Sequence, residues 1–166
     1  MRQINTRQFK VVLVIVAAVA CAVSIAWAQN THFIKATASL VGTDIDVSWK
    51  EVGLGDNQNI DYEASAKATA TYVCVTPLGH CLGPVNQGTV EGTVTATGTF
   101  ASGKKGSITA SLTLEPPNPG TFSCTGPLTM ALSEVSYSNI QITDKTNNIS
   151  KTATPIAISA TPFVCP

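Results

Sequence analysis

Two histidines, His32 and His80, are the side chains of this sequence best suited to move protons near neutral pH. His32 lies in a segment of alternating polar and apolar residues, whereas His80 lies between two cysteines in a segment rich in proline and glycine. A Ser-His-Asp or Cys-His arrangement would have to use one of them. The sequence contains no G-x-S-x-G motif that would place a nucleophile beside either ring. We therefore predict no catalytic residue and a protein that is not an enzyme.

Acidic residues are the next candidates for chemistry. Four aspartates gather around two expected turns, and their carboxylates could supply oxygen ligands to calcium. Their order does not match the spacing of an EF-hand loop. A pair of acids for glycoside hydrolysis would need a fixed separation and a deep cleft. We therefore expect solvated acids, with no metal site and no cofactor. The four residues are Asp44, Asp46, Asp56 and Asp61.

The N-terminal segment has the composition of an export signal. Basic residues precede an apolar run over residues 11–26, and the segment ends in Ala26-Trp27-Ala28, an A-x-A cleavage signal. The run is shorter than the roughly 20 apolar residues of a membrane anchor. We predict a helical signal peptide over residues 1–28 and a single exported domain over residues 29–166.

Export determines how the cysteines are interpreted. Cys21 lies inside the leader, and lipid attachment there is the less favoured alternative because the apolar run continues past it. The exported domain keeps four cysteines, which in an oxidising compartment predict two disulfides in one of three pairings. A thiolate metal site with His80 would need paired C-x-x-C spacing, which is absent. The four residues are Cys74, Cys81, Cys124 and Cys165.

The charge of the exported domain limits its partners. It carries seven lysines, no arginine and ten acidic residues, a net charge of −3. Proteins that bind nucleic acids concentrate lysine and arginine on one face. We therefore expect no nucleic-acid partner, and no stable membrane insertion once the signal is cleaved. The expected location is secreted or extracellular, with the periplasm or cell envelope as the alternative.

The longest alternating segment, residues 60–74, is the element on which the side chains of the domain are positioned. Its even positions are apolar and nearly all its odd positions are polar, which is the period of a strand rather than of a helix. One buried face and one solvated face fit this pattern. Because fifteen residues exceed the usual strand length, we expect a bulge near its alanines. The aromatic residues Trp49, Tyr62 and Tyr72 fall on apolar faces, which favours core packing over a sugar-binding platform shared with Tyr137.

Further alternating segments, separated by glycine and proline, complete the architecture. They predict an antiparallel, immunoglobulin-like β-sandwich of seven or eight strands, with a small β-barrel as the alternative. Threonine dominates the outward positions, where a β-branched polar residue suits a solvated strand. In residues 127–143 the apolar positions change parity twice, so this segment is one broken strand or two short ones. The other predicted strands are residues 31–40, 45–49, 89–100, 108–114 and 156–160.

Three blocks, residues 47–74, 94–117 and 122–144, resemble a group of small secreted proteins of bacteria and filamentous fungi. The shared features are a K-E-x-G-L-G turn, a long Ala/Thr strand ending in cysteine, and a second cysteine before an SVSYxN-like strand. The resemblance implies a β fold and secretion, and it brings no established activity. In its pattern Cys74 and Cys124 are partners, which favours Cys81–Cys165 as the second disulfide. Cys74–Cys81 with Cys124–Cys165 is the alternative, since the intervening segment could close a small loop.

Together these observations predict an exported, non-catalytic β-sandwich that acts as a binding or interaction module. The alternative is a module that binds carbohydrate or a cell surface, and a small secreted hydrolase is the least favoured interpretation. The sequence identifies no specific partner, although contact with a cell surface or a polysaccharide is compatible with it.

Overall fold

The structure is a computed structural model that describes residues 30–83 and 86–165. The predicted signal peptide over residues 1–28 and its cleavage site lie outside the described residues. The described chain is built from β-strands, and no helix within it is long and apolar enough to cross a membrane. In chain order the strands are β1 (His32–Val41), β2 (Asp44–Val52), β3 (Asn59–Val75), β4 (Gln87–Ala101), β5 (Ser107–Leu114), β6 (Thr129–Asp144), β7 (Ile149–Thr152) and β8 (Ala157–Ala160).

The strands form two antiparallel sheets that share one hydrophobic core. The smaller sheet has the order β1-β2-β5, and the larger one has the order β4-β3-β6, with β7 and β8 both pairing with β6. The two sheets do not close on each other. The predicted antiparallel sandwich is therefore confirmed, and the barrel alternative is wrong.

β3 is the central strand of the larger sheet and pairs with a neighbour on each side. Its pairing with β4 runs from Asn59 opposite Ala101 to Val73 opposite Gln87 without a register shift. Its pairing with β6 shifts twice, and both times the extra residue lies in β6. The bulge expected near the alanines of β3 is therefore wrongly placed. The irregularity belongs to β6, where Asn139 adopts a φ of 53° and the inward parity of the sequence changes.

The inward rows of both sheets make the core, as the alternation predicts. Trp49, Tyr62 and Tyr137 are almost completely buried between the sheets. The even-numbered alanines of β3 are buried beside them, whereas the odd-numbered residues from Asn59 to Thr71 carry polar side chains on the outward side. Val73 and Val75, at the end of the strand, are buried. The core-packing interpretation of the aromatic residues is confirmed, because Tyr72 is buried as well.

One lateral side of the sandwich, which we name the closed side, is joined by backbone hydrogen bonds between the sheets. The amide of Ala38 in β1 donates to the carbonyl of Thr154 at 3.1 Å, and the amide of Thr154 donates to the carbonyl of Ala36 at 3.1 Å. Thr154 lies between β7 and β8, and the preceding Ala153 donates to Ile140 in β6 at 2.9 Å. The edge of the smaller sheet is thus bonded to the larger sheet.

At one end of the sandwich two turns interlock. The hydroxyl of Ser102 donates to the carbonyl of Gly55 at 2.6 Å and accepts from the amide of Gln58 at 2.8 Å. A Cβ on Gly106 would lie 2.8 Å from the amide nitrogen of Gly55, so only glycine allows this approach. The turn that follows β2 therefore holds the β4–β5 hairpin in place.

Candidate functional site

The structure places the two histidines on separate elements. His32 is exposed at the start of β1, and its Nδ1 atom lies 2.6 Å from the carbonyl oxygen of Asn30. His80 is exposed in the loop after β3, where its amide donates to the hydroxyl of Thr76 at 3.2 Å. Each ring has a local structural setting, and neither stands in an enclosed site.

The four aspartates do not converge either. Asp46 accepts from Thr113 at 2.6 Å on the outward side of the smaller sheet, and Asp61 accepts from Thr99 at 2.6 Å on the outward side of the larger sheet. Asp44 begins β2, and Asp56 lies in the turn beyond the other end of this strand. Among the described residues, no group of three or more His, Cys, Asp or Glu side chains is arranged to hold a metal ion.

The cysteines form two disulfides in the pairing that the sequence resemblance favours. Cys74, at the end of β3, is bonded to Cys124 with a Cα–Cα distance of 5.6 Å. Cys81 is bonded to Cys165 with a Cα–Cα distance of 5.5 Å. The first disulfide fixes the loop between β5 and β6 to the central strand, and the second fixes the C-terminal segment to the loop after β3. The alternative pairing of Cys74 with Cys81 is wrong.

The aromatic side chains form an interior cluster rather than an exposed platform. The ring of Trp49 lies 4.7 Å from the ring of Tyr62 and 5.4 Å from the ring of Phe100, measured between centroids. Phe33 meets Tyr62 edge-on at 6.4 Å. Because these rings are used in the core, they are not available to stack against a sugar.

A buried acid lies at the edge of this cluster. The carboxyl group of Glu51 is fully buried, and its Oε2 accepts a hydrogen bond of 2.5 Å from the hydroxyl of Tyr62. Burial raises the pKa of Glu51 to about 7, the hydrogen bond from Tyr62 opposes the rise, and the neighbouring carboxylate of Asp144 adds to it. Glu51 therefore keeps its proton to a higher pH than a solvent-exposed glutamate does.

This pair of acids was not among the candidates predicted from the sequence, although the sequence carries a signal for it. Glu51 continues the inward parity of Val47 and Trp49, and Asp144 continues the inward parity of Ile142. An acidic residue on an inward position predicts either a buried ion pair or a raised pKa. Asp144 also caps the turn before β7, where it accepts from the amide of Asn147 at 2.8 Å and from its side chain at 2.6 Å. These contacts indicate a structural role.

The outward side of the larger sheet is an extended polar surface, which we name the hydroxyl face. Its strands present serine and threonine on successive outward positions, with a few charged residues among them. Shallow grooves cross it, among them grooves with volumes of about 340, 350 and 250 Å³. The hydroxyl-bearing residues of the face are Ser65, Thr69, Thr71, Thr89, Thr93, Thr95, Thr97, Thr99, Ser136, Ser138, Thr143, Ser150, Thr152 and Ser159.

At one end of the hydroxyl face the side chains are bonded to one another. Thr99 donates to Asp61, Lys145 forms an ion pair of 3.4 Å with Glu63, and the hydroxyls of Thr143 and Ser150 lie 2.9 Å apart. These contacts hold the rows of side chains at both edges of one end of the face. Their donors and acceptors are therefore less free for an external partner.

A groove farther along the face differs, because the polar side chains that line it are free. The groove of about 340 Å³, which we name the central groove, is lined by Lys67, Thr69, Glu91, Thr93 and Ser138, with Ala68 and Gly92 at its base. Lys67 is opposite Thr93 on one side and Ser138 on the other. Within the described residues, none of these five side chains has a hydrogen bond or an ion pair to another side chain. The central groove thus offers a cation, an anion and hydroxyls to a ligand.

Comparison with known proteins gives a weak structural match. No protein-family model matches the chain, and no curated protein matches it. Among solved structures, the sporulation control protein Spo0M from Bacillus subtilis matches with 14% sequence identity and a TM-score of 0.27. The match covers 82% of this chain and 48% of that structure, so the chain spans about half the length of the protein it matches.

Proposed function

We propose that the chain is an exported, non-catalytic module that binds its partner through the central groove of the hydroxyl face. The observation that supports this proposal most strongly is the contrast between the bonded end of the face and the free side chains of the central groove. A polar group that the protein itself leaves unpaired is hydrated, and a ligand with matching donors and acceptors replaces that water at little cost.

Export is supported by the A-x-A signal and by the two disulfides, which persist in oxidising compartments. A non-catalytic role is supported by the position of the perturbed acid. Glu51 lies inside the core, where a substrate has no access, and a general acid must come within hydrogen-bond reach of the reacting atom. A raised pKa marks a functional site only when the group lies in a cleft.

Carbohydrate is the second candidate for the bound partner. Rows of free hydroxyls can donate and accept in the same way as the hydroxyls of a polysaccharide, and the shallow, open shape of the grooves suits an extended polymer. Binding would then depend on hydrogen bonds rather than on aromatic stacking, because the rings of Trp49, Tyr62 and Tyr137 are in the core.

The experiment compares matched variants of the two outward faces. The protein is purified after export with its own leader and incubated with insoluble polysaccharides and with washed envelopes of the producing cells. Lys67→Ala removes the cation of the central groove, and Ser138→Tyr fills the groove. Lys50→Ala and Ser111→Tyr make the same changes on the outward side of the smaller sheet, and serve as controls.

We expect the two groove variants to reduce retention about tenfold, which corresponds to about 1.4 kcal/mol, while the two controls bind as the wild type does. Equal loss in all four variants would contradict a role for the central groove. Binding to envelopes but to no polysaccharide would remove the carbohydrate candidate alone. Release of soluble sugars during incubation would contradict the non-catalytic assignment.

A further inference from the structure

β4 is an edge strand of unusual length. All fifteen of its residues are paired with β3 along one edge, and no strand of the described chain pairs with its other edge. The long free edge of a sheet is a template for a further strand, because it presents a row of unpaired amides and carbonyls.

The hydrogen bonds of the neighbouring turn identify which groups are free. The amide of Ser102, just after β4, donates to the carbonyl of Gln58 at 2.8 Å. In an antiparallel ladder the pairs that exchange hydrogen bonds alternate along the strand. The even-numbered residues of β4 therefore bond to β3. The amides and carbonyls of the odd-numbered residues, including Thr95, Thr97 and Thr99, point away from the sheet.

Three other edge strands, β1, β7 and β8, carry features that prevent further pairing, and the fourth, β5, has only eight residues. β1 has a register shift between Phe33 and Lys35, carries the charge of Lys35 and bonds to Thr154. β7 and β8 have four residues each and are separated by Pro155. By contrast, residues 93–101 of β4 contain no charge, no proline and no register shift. Charged residues, proline and bulges are the features by which proteins usually block pairing at an edge, and this segment has none of them.

We propose that the free edge of β4 binds the β4 strand of a second copy of this chain, antiparallel and centred on Thr97. In this register Thr97 faces its own counterpart, and Thr95 faces the partner's Thr99. The odd-numbered residues then exchange hydrogen bonds across a two-fold axis, which matches the set of free groups. The two larger sheets become one continuous sheet.

The distribution of charge selects this register and a second copy as the occupant. Glu91 lies six positions before Thr97, and Lys104 and Lys105 lie seven and eight positions after it. Pairing centred on Thr97 places each Glu91 beside the lysine pair at the partner's hairpin tip. A register centred near Glu91 would instead place two carboxylates opposite each other, which is unfavourable. In this register the uncharged segments of two copies pair with each other, and the acid flanking each segment lies beside the lysines flanking the other.

The inward side chains at this edge also favour an added strand. Val94 and Ala96 point toward the core but remain half-buried, because the smaller sheet is narrower than the larger one. Ala110 and Leu112 of β5 are half-buried across from them. A partner strand places its own Phe100 and Gly98 next to Val94 and Ala96, which removes further apolar surface from water.

The experiment is sedimentation equilibrium of the full chain, purified after export, over about 1 to 500 µM, a range in which mass action reveals a weak dimer. We expect the average mass to rise from that of a monomer to that of a dimer. Thr97→Lys places like charges on the two-fold axis, and we expect it to weaken association about tenfold or more. Thr69→Lys adds the same charge to the same face on the central strand, and Ser111→Lys adds it to β5; both should leave the dimer intact.

A cysteine pair then tests the register. Thr97→Cys should give a disulfide-linked dimer on a non-reducing gel, whereas Thr93→Cys, which faces the partner's Ala101, should not. A monomer at every concentration would overturn the proposal. A dimer that survives Thr97→Lys but dissociates with Ser111→Lys would also overturn it, because the contact would then lie on β5.

Discussion

The two lateral sides of the sandwich differ in how the edges of their sheets are covered. On the closed side, the edge strand β1 is hydrogen-bonded to Thr154, so the backbone of the smaller sheet is joined to the larger sheet. On the other side, which we name the open side, β4 and β5 meet only at their hairpin and through half-buried side chains. The difference teaches that sheet edges in this fold are protected by bonding on one side and left available on the other.

The two sides also differ in the sequence separation of the residues that form them. The closed side depends on residues far apart in the sequence, since Ala38 and Thr154 meet across most of the domain. The open side depends on a local hairpin and on the loop between β5 and β6, whose Phe122 ring packs over Gly88. The disulfide from Cys74 to Cys124 holds that loop in place. The cover on the open side is therefore a loop at one end rather than a strand along the whole edge.

The largest expected effect comes from placing proline on each edge in turn. Ala38→Pro removes the amide that donates to Thr154 and enlarges a buried side chain, so we expect it to lower the free energy of unfolding by about 2–5 kcal/mol. Thr97→Pro removes an amide that faces solvent on the open side, and should cost less than about 1 kcal/mol, because proline is tolerated on free edges. Urea denaturation measures both. Equal losses would contradict the difference between the two sides.

The second largest effect is the pH dependence of stability that Glu51 causes. It does not depend on either sheet edge, because Glu51 is buried between the two sides. The folded state raises the pKa of Glu51 from 4.5 to about 7, so the unfolded chain releases the proton first as the pH rises. This group therefore lowers stability as the pH increases from about 4.5 to 7, by about 1–3 kcal/mol in total, and its penalty is complete above that range. Glu51→Gln mimics the protonated form.

We expect the difference in stability between Glu51→Gln and the wild type to shift in favour of the variant on going from pH 5 to pH 8. Urea denaturation of both proteins at the two pH values measures this difference, which removes the contributions of the other titrating groups. A constant difference would show that Glu51 does not titrate in this range. The same comparison in Thr97→Lys should give the same result, since that change lies on the open side.

The smallest effect is an increase in stability, which we expect when a side chain is added at Gly92 on the open side. A Cβ on Gly92 would meet no atom within 4 Å, so Gly92→Ala should stabilise the fold by about 0.4–1 kcal/mol through the unfolded state. A Cβ on Gly88 would lie 2.6 Å from the ring of Phe122, so Gly88→Ala should destabilise it. Thermal unfolding distinguishes the two. Stabilisation by both changes would contradict the account of how Phe122 covers this side.

The alternation of side chains made much of the fold predictable. The parity of Trp49, Tyr62 and Tyr72 placed these rings in the core, and the double change of parity in residues 127–143 signalled the irregular pairing of β6. These features depend on the period of a single strand, which is a local property. The expectation of a bulge in β3 failed because strand length alone does not say which partner absorbs a mismatch in twist.

The candidate site was less predictable for a physical reason. The abundance of outward threonine is visible in the sequence, but the central groove exists only because β6 places Ser138 beside Lys67 and β4 places Thr93 on its other side. Such long-range pairing depends on topology. The raised pKa of Glu51 likewise depends mainly on burial between the two sheets, with a further contribution from Asp144 on a distant strand, although the inward parity of both residues gave a usable signal.

Amide hydrogen exchange of β4, followed residue by residue by NMR, tests the open side most directly. In dilute solution we expect slow exchange at Val94, Ala96 and Gly98, and fast exchange at Thr95 and Thr97. The amides of Ala38 and Thr154 on the closed side should exchange slowly at every concentration. As the concentration rises, Thr95 and Thr97 should become protected. Equal protection along β4 in dilute solution would contradict the account, because the edge would then be covered within a single copy.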